Sequence, residues 1–292
     1  MSGRGEQRQR DLPAGLRYSV SELPIVMPKV EVISSPANPL LKEIRRAIVR
    51  GSTTEDGYCV AESFHLLEEA LRSDCEVGTV LAADAVRQTV ENHVKRLLRV
   101  RVAVLPGDLF QRVAGTETSQ GVLALVRPPK WQLENLFRGQ SLVVVLDGVQ
   151  DPGNAGSIVR SAEAFGATGV CFLKGAASPF NPKTLRASAG SLFRLPFVYG
   201  MDAELACAAI QQNRLDLYAT VPAGELSKRV TEADLTRKCA LIIGSEGRGV
   251  SHKLRSAAID LSIPTVRVES LNAAMAAGIL LYEAQRQRTL RS

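Results

Sequence analysis

Three short polar loops in the C-terminal half of the chain carry side chains able to act on a substrate. The first, residues 147–160 (DGVQDPGNAGSIVR), ends a β-branched run and opens a helical pattern. It offers the Asn154 amide, two nearby glycines and, further along the helix, Arg160. Free N–H groups and the dipole at a helix start favour an anion such as phosphate, and Asn154 reads as the N-cap. Arg160 is by type a bidentate phosphate ligand, or else a solvent-facing arginine. The second loop, residues 244–251 (GSEGRGVS), sets the Glu246 carboxylate among glycines that let a ligand lie against the backbone. Glu246 is placed to pair with Arg160 or to accept from a ribose hydroxyl. The third, residues 263–272 (IPTVRVESLN), presents Ser270 and Asn272 at the start of a helix rich in Ala and Gly. Taken singly, each loop also resembles an ordinary strand-to-helix turn.

A fourth cluster, Lys183, Arg186, Ser188 and Ser191, sits on one helical segment and has the residue types that contact phosphate. A solvated basic face is the plain alternative. Other chemistries are missing. There is no P-loop, no GxGxxG, no Ser-His-Asp order and no pair of carboxylates at catalytic spacing. His65, His93 and His252 are far apart, so no metal is expected. The five cysteines are scattered without a CxxC pair, which points to a reducing compartment and hence the cytoplasm. No apolar run approaches the roughly 18 residues of a membrane helix, and the N-terminus lacks the apolar core of a secretory signal. The net charge of +6 is compatible with a nucleic-acid partner.

The elements that must hold these loops fall into two blocks. Residues 1–27 are polar and basic and read as a flexible tail. Residues 28–126 read as a small α/β domain, with strands near 58–61, 77–82, 100–105 and 121–126 and helices opening at 39, 63, 84 and 107. Residues 127–140 contain a Pro-Pro pair and read as a linker, with Trp131, the only Trp, packing at the junction. Residues 141–292 alternate strand and helix. Strands fall at 142–146, 169–173, 195–198, 216–220, 240–243 and 258–263. Helices fall at 155–165, 182–192, 203–212, 231–235, 251–257 and 271–288. Gly166 should end the first of these helices, and Asn181-Pro182 should open the second. Strict alternation implies a parallel sheet with helices on both faces. Loops after its strands gather at one edge, where ligands bind.

Seen together, the three loops resemble motifs 1, 2 and 3 of the SpoU-type RNA ribose 2′-O-methyltransferases of the SPOUT superfamily. The matching residues are Asn154, Gly156 and Arg160; then Gly244, Glu246, Gly247 and Gly249; then Ile263, Pro264, Ser270, Leu271 and Asn272. The segment 185–191 resembles the family's inter-motif helix, and the first domain its ribosomal-protein-like RNA-binding domain. One departure is Ala273-Ala274-Met275, where many relatives carry Val-Ser-Val, which removes a hydroxyl at position 274.

The resemblance implies a trefoil-knotted α/β methyltransferase domain and a homodimer formed through it. It implies S-adenosylmethionine held by Thr220, Gly244, Ile263, Leu271 and Asn272, with no metal. Arg160, Asn154, Glu246, Ser270 and Asn272 become the candidate catalytic set, and Arg160, Lys183, Arg186 and Ser188 the candidate RNA contacts. The implied reaction is methylation of a ribose 2′-hydroxyl, on large-subunit ribosomal RNA ahead of transfer RNA. A guanidinium stays protonated, so Arg160 is read as a clamp on the neighbouring phosphate rather than a base. A non-catalytic RNA-binding protein on the same scaffold, or a nucleotide-dependent dehydrogenase, are the competing classes.

Overall fold

The computed structural model describes residues 29–95, 100–114, 119–224 and 227–290. The basic segment 1–27, and residues 96–99 beyond the helix expected to open at 84, lie outside the described residues.

Short strands with local caps build the first sheet. In order, they are β1 (Lys29–Val32), α1 (Pro39–Arg50), β2 (Cys59–Glu62), α2 (Phe64–Arg72), β3 (Glu76–Ala83), α3 (Arg87–Val94), β4 (Arg101–Leu105), α4 (Gly107–Val113) and β5 (Val122–Arg127). Asn38 caps α1 ahead of Pro39, and Ser63 caps α2 by accepting from the Leu66 amide. The strand order is β1-β4-β3-β5-β2. β1, β4 and β3 are parallel, and β5 runs antiparallel to both its neighbours.

The second sheet is laid down by β6 (Leu142–Asp147), α5 (Pro152–Ala164), β7 (Gly169–Leu173), α6 (Pro182–Ser188), β8 (Phe197–Met201), α7 (Ala203–Gln212), β9 (Asp216–Val221), β10 (Lys228–Arg229), β11 (Cys239–Gly244), α8 (His252–Arg255), β12 (Ile259–Ser262) and α9 (Ala273–Thr289). Its order is β10-β12-β9-β11-β6-β7-β8, and all its pairings are parallel. The sequences LVVVLD and CALIIG are apolar on both faces because β6 and β11 are central and covered on both sides. Their register pairs Gly244 with Asp147, so the first and second polar loops leave the sheet side by side.

Several expected boundaries move, each for a local reason. α5 starts at Pro152, and its cap is Asp151, whose carboxylate accepts from the Asn154 amide at 2.7 Å. Asn154 therefore lies inside the first turn and is not the cap. The helix expected over 182–192 stops at Ser188, because Ala189 and Gly190 both take left-handed φ (48° and 90°). A Cβ on Gly190 would sit 2.6 Å from the Glu69 Cβ, so the close approach of the first domain selects glycine there. The helix expected at 231–235 is a single 3-10 turn, Val230–Glu232, and the one at 251–257 shrinks to α8.

The two sheets are docked on each other. The proposed linker is itself folded: a 3-10 turn, Leu133–Phe137, buries Leu136 completely against Gly169, where any Cβ would come within 2.6 Å of the Leu136 Cγ. Trp131 packs partly buried on the main core, with its Nε1 buried and without a partner. Arg186 on α6 reaches the buried Glu62 of β2 at 2.6 Å. Arg194 bridges Glu69 of α2 (2.6 Å) and Glu163 of α5 (2.7 Å). Burial would raise the Glu69 carboxyl, but Arg194 and Arg72 overcome this and hold it below its ordinary range. Glu163 behaves likewise under Arg194.

Candidate functional site

The polar loops converge because β6 and β11 are neighbours and α9 returns to pack on α5. The Asp147 carboxylate at the end of β6 accepts from the Ser251 amide at 2.6 Å, tying the first loop to the end of the second. The second loop closes on itself through a backbone bridge between Ser245 and Gly249. Gly244 is required there, since a Cβ would lie 2.2 Å from the Gly249 carbonyl carbon.

At the meeting point three side chains form one network. Asn154 donates its amide to Glu246 Oε1 at 3.0 Å. Asn272 donates to the same oxygen at 2.9 Å and to Asn154 Oδ1 at 3.0 Å. Asn272 is also the N-cap of α9, its Oδ1 accepting from the Ala274 and Met275 amides. The cap fixes the orientation of the amide, so its N–H groups are left to face Glu246. Glu246 is thus held by two amides and not by Arg160, as the sequence had allowed.

Two cavities flank this network. The first, about 830 Å³, is lined by Thr220, Gly244, Glu246, Ile263, Ser270 and Leu271, among others. Four of the five residues expected to hold a cofactor, Thr220, Gly244, Ile263 and Leu271, therefore share one wall system. The fifth, Asn272, is not on that lining and is joined to it by its hydrogen bond to Glu246. The second cavity, about 500 Å³, is lined by Asp147, Gln150, Asp151, Asn154, Lys174 and Glu246, among others. The segment Ser245–Gly249 belongs to both and forms the partition between them.

Other expectations fare differently. Arg160 is exposed on α5 and makes no hydrogen bond or ion pair among the described residues; it does not reach the network. Lys183 is exposed at the start of α6. Arg186 and Ser188 are corrected as RNA contacts. Arg186 is committed to Glu62, and Ser188 is fully buried, its hydroxyl donating to the Leu185 carbonyl at 2.8 Å. Gly156 serves packing, because a Cβ there would meet the Thr184 carbonyl oxygen of α6 at 2.3 Å. Val221 at the end of β9 and the following Pro222 and Ala223 also line the first cavity and were missed. Only the sheet order, which sets β9 beside β11, could have revealed them. No cluster of His, Cys, Asp and Glu among the described residues is arranged to hold a metal.

Known proteins resemble this chain in sequence and fold. Residues 38–124 match the MRM3-like substrate binding domain, and residues 141–282 match the SpoU rRNA Methylase family. An uncharacterized tRNA/rRNA methyltransferase of Synechocystis is 32% identical, over 88% of this chain and 94% of that protein. The 23S rRNA (guanosine(2553)-2'-O)-methyltransferase RlmP of Bacillus subtilis is 32% identical, over 86% of this chain and 97% of its own. The crystal structure of the SpoU methyltransferase AviRb from Streptomyces viridochromogenes in complex with AdoMet superposes with a TM-score of 0.76. It is 29% identical over 86% of this chain and 98% of that one. With both sheets inside matched family regions and relatives of 32% identity covering 86–88% of its length, the chain belongs to the SpoU family of RNA methyltransferases.

Proposed function

We propose that the protein methylates a ribose 2′-hydroxyl of large-subunit ribosomal RNA with S-adenosylmethionine as donor. The observation that carries this reading is the pair of adjacent cavities that share the Glu246 segment, one sized for a cofactor and the other open to an acceptor. The 23S rRNA activity of the Bacillus relative favours ribosomal over transfer RNA.

The residues of the first cavity suit S-adenosylmethionine. Leu261, Ile263, Leu271 and Leu280 give apolar walls for the adenine and the methionine methylenes, and the side-chain-free edge at Gly244 lets a flat ring lie on the backbone. When bound, the cofactor supplies an electrophilic methyl group. The chain supplies orientation. Asn154, Asn272 and Glu246 hold the partition fixed, so the acceptor ribose meets a preorganised wall. The second Glu246 oxygen is then placed to accept from a ribose hydroxyl. Arg160, always protonated, binds a phosphate of the acceptor strand and aligns the hydroxyl.

Arg160 stands away from its own network, and a homodimer resolves this: the partner subunit brings its Arg160 to the opposite site. The exposed Met275 and Tyr282 on α9 supply an apolar face for that interface, and Tyr282 packs edge-on against Phe165 at the end of α5. A knotted threading of the chain before α9 fits the insertion of β11 and β12 between strands laid down earlier.

The test is incubation with unmodified 23S rRNA and methyl-labelled S-adenosylmethionine, followed by mapping of 2′-O-methyl sites. One mapped ribose in 23S rRNA is expected. Labelling of transfer RNA alone would move the substrate to the second candidate, and a failure to bind S-adenosylmethionine would leave only an RNA-binding role.

A further inference from the structure

The MRM3-like match assigns the first domain to substrate binding but names no surface. α1 has an exposed stripe formed by Lys42, Arg46, Val49 and Arg50. At 100° per residue these four fall within about 100° of the helix circumference, and the three cations span about 12 Å. The side chains of Lys42 and Arg50 make no hydrogen bond or ion pair among the described residues. Arg46 is tied only to Glu55, in a pair that is 54% and 82% exposed and so costs little to open. The acidic groups nearby are Glu43 and Glu55, and the Glu43 carboxylate is already engaged by the Glu55 amide.

The stripe leads to the acceptor cavity. α1 ends at Gly51, which is left-handed (φ 58°) and packs so closely on the second domain that a Cβ would lie 3.2 Å from the Asn181 amide nitrogen. Asn181 caps α6, whose exposed Lys183 continues the positive edge. Backward along the chain, residues 174–181 run from Asn181 to Gly175 and Lys174, which line the second cavity. The Ala177 amide, donating to the Val149 carbonyl at 2.8 Å, pins this segment beside the first polar loop. The Arg186–Glu62 and Arg194–Glu69 ties keep the two domains in this relation.

Resting on the acceptor role given above to the second cavity, we propose that RNA flanking the acceptor nucleotide leaves that cavity over residues 174–183 and lies along the α1 face. Its phosphates there contact Lys183, Arg50, Arg46 and Lys42. The contact is electrostatic and independent of base sequence.

The experiment titrates a fluorescein-labelled single-stranded RNA oligonucleotide with the full chain across about 50 to 200 mM salt. The parent is compared with K42A/R46A/R50A and with a charge-matched control, R87A/K130A/R237A, whose residues lie off the track. Each phosphate contact on a single strand contributes a slope of about −0.7 in log K against log salt. The track variant should therefore show a slope shallower by about 2 and bind tenfold or more weakly, with the control near the parent. S-adenosylmethionine affinity and Tm should be unchanged, which separates a failed track from a failed cofactor reading. An unchanged slope, or an equal loss in the control, would overturn the proposal.

Discussion

Asn272 donates to Glu246 across 2.9 Å while its own oxygen caps the helix that follows. One side chain therefore has two separable jobs. Asn272→Asp keeps the cap oxygens but loses the N–H groups and sets a second carboxylate against Glu246. Asn272→Ala loses both. Aspartate should leave the unfolding free energy close to the parent's, whereas alanine should cost about 1 kcal/mol through the cap. Methyl transfer should fall more than tenfold in both. A normal rate for Asn272→Asp, measured with Tm on the same preparation, would remove the network from the reaction.

Gly244→Ala puts a Cβ 2.2 Å from backbone that cannot rotate aside. The partition loop has to shift, so calorimetry should show S-adenosylmethionine affinity reduced at least tenfold. Gly156→Ala strikes a different place, the α5–α6 contact. It should instead lower stability by about 1–3 kcal/mol, as overpacking does.

Arg160 is exposed and unpaired, so Arg160→Ala should leave Tm unchanged while slowing methyl transfer at least a hundredfold. Arg160→Lys keeps the charge and loses the fork, and an intermediate rate is expected. The pH–rate profiles of the parent and the Lys variant should have the same shape if the side chain acts as a phosphate clamp. A new basic limb in the Lys variant would instead indicate proton transfer at that position.

The domain contact should be acid-sensitive. Glu69 and Glu163 lie below the usual glutamate value of 4.5, so their contribution is full above that value and is lost as pH falls through the depressed pKa values. Arg194→Met should cost about 1–3 kcal/mol near neutral pH. The gap between variant and parent in Tm should narrow as pH is lowered from about 6 toward 3. A gap independent of pH would mean that Arg194 acts through packing alone.

Much of this was legible in the residues. Strand–helix alternation gave the parallel sheet, and Ser63 and Asn181 cap the helices they were expected to open, while α9 starts two residues later than expected, with Asn272 as its cap. Asp151 was passed over for Asn154 because both types cap well; Pro152 at the first helical position was the overlooked signal. Arg186 looked like a phosphate ligand because its partner, Glu62, lies 124 residues away on the other sheet. Gly156 looked like a site for a ligand, but its close neighbour is a helix. Pairings between distant segments leave no local trace, so the sheet order and the missed lining after β9 were open only to the folded chain.

The partition Ser245–Gly249 has one further consequence. A wall with an occupant on each side cannot yield to one of them alone. If either ligand displaces the Glu246 segment, each must alter the other's equilibrium affinity by the same factor, because the coupling free energy is shared. Donor and acceptor would then sense one another through a few residues of glycine-rich chain, in addition to their direct meeting at the transferred methyl.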